Sequence, residues 1–194
     1  MSALILASGS SIRAKMLGDA GVDYLAVRPE IDEAGGKAPG KAAGDVAREL
    51  AELKALSVSG RRPGDWVVGS DSVVSVGGRL FDKPESREAA AEHLRFFSGK
   101  AMVLTSAAAL ARAGAVEWTH VDSAELQVRP LSDDFIHAYL EREWPEVGYC
   151  VGVFRMEGPG VQLFETVNGN YFTILGMPLI PLLGALRQRD ILPS

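Results

Sequence analysis

The chain has 194 residues, 47% of them hydrophobic and 23% charged, with 21 glycines and 10 prolines. That is enough for one core-forming domain, or two lobes sharing a sheet, and it excludes a disordered or fibrous chain. Twenty basic against 25 acidic residues leave a net charge of -5, which offers no grip on a nucleic-acid backbone or an anionic membrane.

Ala3 to Ala7 is a continuous apolar run that stops at Ser8-Gly9-Ser10-Ser11. Ile12, Met16 and Leu17 then recur at helical spacing up to Gly21, so the pattern predicts a buried strand, a tight turn and a helix. Tyr24 to Val27 reads as a short strand, followed by the acidic segment Glu30 to Glu33 and a Gly/Lys/Pro loop from Gly35 to Gly44. Asp45 is a favourable N-cap for an amphipathic helix to Ser59, with Val46, Leu50, Leu53 and Ser57 on one face. Trp66 to Gly69 reads as a strand leading into Ser70-Asp71-Ser72, and Val73 to Phe81 as a hairpin around Gly77-Gly78.

Ser86 caps a predicted helix in which Ala90, Leu94 and Phe97 share a face, ending at Gly99. Two long strands follow, Ala101 to Leu110 and Val116 to Val128, and then a capped helix from Ser132 to Glu143 stopped by Pro145. Val151 to Arg155, Val161 to Thr166 and Tyr171 to Leu175 read as strands, and Pro178 to Gln188 as a C-terminal helix. Helices and strands interleave around paired long strands, which predicts an α/β fold on a mixed sheet flanked by helices, without internal repeats or linkers.

Cys150 is the only cysteine, which excludes an intrachain disulfide framework and a cysteine-clustered zinc site and suits a reducing compartment. The most apolar tract, Ile174 to Leu186, is interrupted by Pro178 and Pro181 and is shorter than the roughly 20 residues of a membrane span. Ala3 to Ala7 is too short for a signal sequence and lacks a basic flank, so the expectation is a soluble cytoplasmic protein with no nucleic-acid or membrane partner.

Several residues carry possible chemistry. Ser8, Gly9, Ser10 and Ser11 lie at a predicted helix N-terminus with Arg13 in its first turn, where free backbone N–H groups and a guanidinium suit a phosphate. An ordinary serine-capped helix with a surface arginine has the same pattern. Gly35, Gly40 and Lys41 mimic a phosphate loop, but Ala42 stands where its magnesium-contacting hydroxyl belongs and no buried strand feeds Gly35, so the segment reads as a glycine-rich loop. Asp71 follows an apolar strand, a position where a carboxylate binds a divalent cation, accepts a proton from water, or merely closes a turn.

Lys54 lies at the edge of its helix's apolar stripe, and Lys83 is held extended by Pro84. Each alone reads as a surface charge; with Arg13 they could neutralise a polyphosphate. Glu33 sits in an acidic loop, and Glu157 in a Gly/Pro-bracketed turn that could present its carboxylate to a base edge. Cys150 reads as a packed small hydrophobe.

Together, Leu6-Ala7-Ser8-Gly9-Ser10-Ser11-Ile12-Arg13, the Glu33 region, Lys54, Val68-Gly69-Ser70-Asp71, Lys83-Pro84, Ser98-Gly99-Lys100, Glu157-Gly158 and Leu175-Gly176-Met177-Pro178-Leu179 resemble the Maf family of nucleoside triphosphate pyrophosphatases. The resemblance spans most of the chain, read as one domain over 1–194. It implies a long mixed twisted sheet in two lobes with a central cleft, an inosine-triphosphatase-like architecture, often in a homodimer. It also implies hydrolysis of a nucleoside triphosphate between the α and β phosphates, with Mg2+ or Mn2+ as cofactor. By the same resemblance Asp71 is the proton acceptor, Ser8 and Arg13 touch phosphate, and Lys54 and Lys83 stabilise charge. Glu33 is implied as a metal or metal-water ligand, with Asp71 beside it; Gly9, Ser10, Ile12, Ser72 and Glu157 complete the substrate contacts.

Glu157 matches the subgroup acting on 7-methyl-GTP, where the dTTP/UTP subgroup has glutamine, and a carboxylate suits the N–H groups of a guanine edge. The segment Cys150 to Glu165 also resembles that subgroup. Ile12 and Ser72 match neither, and Ser11 stands where proline is common. Hydrolysis of dTTP, UTP or CTP, and a nucleotide-binding regulator of cell division with little turnover, are the competing expectations.

Overall fold

The computed structural model describes residues 3–31 and 40–193. Leu4–Ala7 (β1) is buried along its whole length and pairs in parallel with Leu25–Val27 (β2) on one side and Trp66–Val76 (β3) on the other, with Ala7 opposite Gly69. Ser11–Asp19 (α1) connects the first two strands, and its first turn is capped by the Ser10 hydroxyl, which accepts from the Arg13 backbone N–H. Arg79–Phe81 (β4) returns antiparallel on β3.

Ala101–Arg112 (β5) and Ala115–Val128 (β6) are long strands joined at Ala113-Gly114, both with positive φ, as a two-residue hairpin turn requires. Phe164–Asn168 (β7) pairs antiparallel with β6. Seven strands among the described residues form one mixed sheet in the order β2-β1-β3-β5-β6-β7, with β4 beside β3.

Ala43–Ser59 (α2) begins two residues before the predicted cap: Ala42 precedes it without a side-chain cap, and Asp45 lies inside the first turn, paired with Arg48. Its buried face is also turned from the expected one. Ala47, Ala51, Lys54, Ala55 and Val58 join Val46 and Leu50 inside, whereas Leu53 is 42% exposed. The reason is how near the helix backbone comes to β3. A Cβ added at Gly69 would lie 2.1 Å from the Ala51 carbonyl oxygen and 2.6 Å from the Ala55 nitrogen, so only glycine below and alanines above allow the approach.

The strand reading from Trp66 was too short. β3 runs unbroken to Val76, so Asp71 sits mid-strand, not at a strand end. Strand side chains alternate, which sends Gly69 and Asp71 to one face and Ser70 and Ser72 to the other.

The remaining helices are Arg87–Phe97 (α3) and Asp133–Glu143 (α4), capped by Ser86 and Ser132 as predicted, then Tyr171–Leu175 (α5) and Leu179–Arg187 (α6). Two predicted strands are corrected, and the third, Val161 to Thr166, is a strand only from Phe164 on, as β7. Val151 to Arg155 is irregular, Val161 lies in the 3-10 turn Pro159–Leu163, and Tyr171–Leu175 is helical because the Asn170 side chain caps it by accepting from the Phe172 N–H. Gly158, Pro159 and Gly160 break the ladder that the valines and phenylalanines around them would favour.

The chain divides into two compact units. The first is Met1–Ser72, Thr105–Asp122 and Asn170–Ser194; the second is Val73–Leu104 and Ser123–Gly169. The first is built on a core of Leu4, Leu6, Leu17, Val68, Leu110, Leu182 and Leu186. In the second, Phe81 meets Phe97 edge to face, Phe154 meets Phe164 likewise, and Ile136 and Leu140 are buried. Among the described residues no helix is long and apolar enough to cross a membrane.

Candidate active site

Asp71 projects from β3 toward α2, where Lys54 Nζ donates to its Oδ1 at 2.5 Å. The two residues are 8% and 7% exposed, so Lys54 is an interior cation and not the stripe-edge surface charge its spacing implied. An ion pair this buried is expensive to assemble and is stable only while both charges are present.

The opposite face of β3 carries a hydroxyl network. The Gly176 carbonyl, at the left-handed C-cap of α5, accepts from Ser70 Oγ at 3.1 Å, Ser72 Oγ at 3.0 Å and Arg13 Nε at 2.9 Å. Arg13 Nη2 also donates to Ser72 Oγ at 3.1 Å. Ser72 Oγ lies 2.8 Å from Ser106 Oγ, Ser106 donates to the Thr173 carbonyl, and Thr173 Oγ1 donates to Asp122 Oδ2 at 2.6 Å. The Arg13 guanidinium is therefore oriented by two elements that lie far from it in sequence.

Ser8 is buried, and its Oγ accepts from the Ser10 backbone N–H at 3.1 Å, which folds the turn before α1. Gly9 is exposed and a Cβ there would meet nothing within 4 Å; Ile12 is half-buried. Ser8, Gly9, Ser10, Ile12, Arg13, Lys54, Asp71 and Ser72 all belong to the first unit.

Lys83 and Glu157 belong to the second unit and both are exposed. Glu157 lies in a turn closed by the Gly158 N–H donating to the Arg155 carbonyl at 3.2 Å. Arg155 in turn reaches Glu143 on α4, a 4%-exposed carboxylate, and the hydrogen bonds between them hold the guanidinium above its ordinary pKa. Burial, and then the nearby Glu157 charge, push the half-buried Cys150 thiol up to about 11, which disfavours the nucleophilic thiolate. Glu33 lies outside the described residues.

A family model for Maf-like proteins matches residues 3–189. The chain belongs to the Maf family of nucleoside triphosphate pyrophosphatases. It is 48% identical over 189 residues to a 7-methyl-GTP pyrophosphatase of Rhizobium etli, covering 95% of each chain. A 7-methyl-GTP pyrophosphatase of Brucella suis is 44% identical over the same length and coverage. A nucleoside triphosphate pyrophosphatase of Hyphomonas neptunium is 42% identical over 196 residues, 99% of this chain and 98% of that one.

The Maf family is generally metal-dependent. Among the described residues no three His, Cys, Asp or Glu side chains gather into a metal cage. Asp71 spends one oxygen, Oδ1, on Lys54. A single carboxylate oxygen fits a hard cation of the magnesium type, which keeps several waters and takes its other ligands from substrate phosphates.

Sequence reasoning missed Ser106, Thr173, Asp122, Glu143 and Arg155. The one local signal was polarity in an apolar run: Thr105 and Ser106 interrupt the alanine-rich β5, and both are buried.

Proposed function

We propose that the whole chain, 1–194, acts as one Maf domain that hydrolyses 7-methyl-GTP to 7-methyl-GMP and pyrophosphate. The observation that carries the reading is the buried Lys54–Asp71 pair at 2.5 Å, a base and a cation placed together in the interior of a Maf chain. Base preference rests on Glu157, an exposed carboxylate that suits the N–H donors of a guanine edge, and on the names of the R. etli and B. suis relatives.

In this mechanism Asp71 accepts a proton from water as the water oxygen bonds to phosphorus at the α–β anhydride. The bridging P–O bond breaks and pyrophosphate leaves. Lys54 and Lys83 offset charge building on the phosphate oxygens, and Arg13, oriented by Gly176 and Ser72, contacts phosphate together with Ser8 and the turn Gly9-Ser10. Ile12 and Ser72 flank the substrate. Asp71 and Glu33 would hold Mg2+ or Mn2+, whose charge polarises the phosphate oxygens. A cytoplasmic homodimer completes the proposal, checked by sedimentation and cell fractionation.

The test is pyrophosphate release from 7-methyl-GTP, GTP, dTTP, UTP and CTP with either metal, by the wild type and by Glu157→Gln. Selective release from 7-methyl-GTP that relaxes in Glu157→Gln supports the reading. Preference for a pyrimidine triphosphate assigns the base choice to Ile12 and Ser72, and no release from any nucleotide removes the catalytic reading in favour of a nucleotide-binding regulator.

A further inference from the structure

The Glu143–Arg155 ion pair in the second unit has no role in the chemistry above, yet its buried carboxylate is costly to maintain. Glu143 ends α4 with its carboxylate inside, and both Arg155 Nε, at 3.2 Å, and Nη2, at 2.8 Å, donate to the same oxygen, Oε2. A carboxylate so buried persists only with a matched cation, and a two-pronged guanidinium fixes direction as well as charge.

The pair anchors one particular piece of chain. Arg155 is the first residue of the turn that Gly158 closes, and Glu157 is its third. A Cβ at Gly160 would lie 2.6 Å from both the nitrogen and the oxygen of Arg155, so the segment folds back tightly on the anchored residue. A Cβ at Gly158 would lie 3.7 Å from Glu143 Oε2 and 3.9 Å from Arg155 Nη2, which places the turn against the ion pair itself. On the other side, the Tyr139 hydroxyl, also from α4, donates to the Val153 carbonyl at 3.0 Å. Two residues of one helix, Tyr139 and Glu143, thus hold the chain leading into Glu157 at Val153 and Arg155. The Glu157 side chain is left exposed.

We propose that Glu143 and Arg155 are positioning residues that hold Glu157 at a fixed place and angle for base recognition. The inference rests on the proposed reading of Glu157 as the base contact. Without the anchor the turn would still form, but Glu157 would sample many orientations and lose discrimination more than turnover.

The experiment measures kcat and KM for 7-methyl-GTP and UTP in the wild type, Glu157→Gln, Glu143→Gln and the double variant. Glu143→Gln leaves Arg155, one-third exposed, free to turn to water without stranding a buried charge. KM for 7-methyl-GTP is expected to rise roughly tenfold or more, with kcat and the UTP constants nearly unchanged. In the Glu157→Gln background the same substitution is expected to add nothing to the ratio between the two nucleotides.

If Glu143→Gln does not fold, Arg155→Lys, with its single-point ammonium, supplies the same readout. Equal loss on both nucleotides, or an undiminished effect in the Glu157→Gln background, overturns the positioning role. Loss of preference in Glu157→Gln but not in Glu143→Gln or Arg155→Lys overturns it while leaving the base reading intact. An unchanged preference in Glu157→Gln overturns the base reading and this inference together.

Discussion

Lys54 and Asp71 meet at 2.5 Å because Gly69, two residues before Asp71 on the same face of the strand, has no side chain to hold the helix away. The cation, the carboxylate and the glycine form one device: α2 comes down on β3 at Ala51 and Ala55, and Lys54 is the buried position between them. Gly69→Ala is therefore expected to act on both stability and activity. The added methyl meets backbone and cannot be accommodated by a rotamer change, so unfolding in urea should show a loss of about 3 kcal/mol, the upper end for overpacking. Activity should fall in the same variant at temperatures where it remains folded.

Removing one member of the pair tests it differently. Lys54→Met leaves the Asp71 carboxylate buried without its cation, and breaking such a pair costs about 3–5 kcal/mol. The double variant Lys54→Met/Asp71→Leu is expected to regain part of that stability, since the buried Asp71 carboxylate is removed together with its cation, while remaining inactive. Chemical denaturation of the three proteins checks the order.

Arg13 depends on its fork. Arg13→Lys keeps the charge but loses the rigid planar fork that donates from Nε to the Gly176 carbonyl and from Nη2 to Ser72 Oγ. Loss of a charge-assisted bond of about 1.5–3 kcal/mol corresponds to roughly a ten- to hundredfold fall in kcat/KM. Ser72→Ala should cost only about 1 kcal/mol of stability, because the Arg13 Nε bond to Gly176 survives.

His93 on α3 gives the fold a pH dependence. Its Nδ1 is buried without a hydrogen-bond partner among the described residues, its ring meets Phe81 edge to face, and burial, followed by the Arg79 charge, lowers its pKa. The folded state prefers neutral imidazole, so the unfolded chain binds the extra proton as pH falls below its ordinary value of 6.5. Stability should be intact above that pH and decline as pH drops through it toward the depressed folded value. His93→Gln is expected to flatten this part of the profile, measured as urea midpoints from pH 7.5 to 5.

The strand, turn and helix from Leu4 to Asp19 were legible because an apolar run, a serine cap and a helical repeat all agree there. The buried face of α2 was not, because alanines carry little hydrophobic signal, while their smallness is what a close helix–sheet contact needs. Ser70-Asp71-Ser72 read as the end of a strand for a related reason. Each polar group is satisfied by a partner distant in sequence: Lys54 at 17 residues for Asp71, Gly176 at 104 for Ser72 and at 106 for Ser70. Local pattern cannot distinguish a two-faced polar strand from a loop. The valine and phenylalanine content around Gly158-Pro159-Gly160 suggested strands where the breakers prevailed. Of the named site residues, Glu33 lies outside the described segments.

In the proposed reaction Asp71 accepts a proton during cleavage at the α–β anhydride of 7-methyl-GTP. The most direct measurement is product identification from 7-methyl-GTP with magnesium, by the wild type and Asp71→Asn, with substrate binding followed in parallel. The wild type is expected to yield 7-methyl-GMP and pyrophosphate, and Asp71→Asn to hold bound but unhydrolysed substrate. Release of inorganic phosphate in place of pyrophosphate, or undiminished turnover in Asp71→Asn, would contradict the proposed reaction.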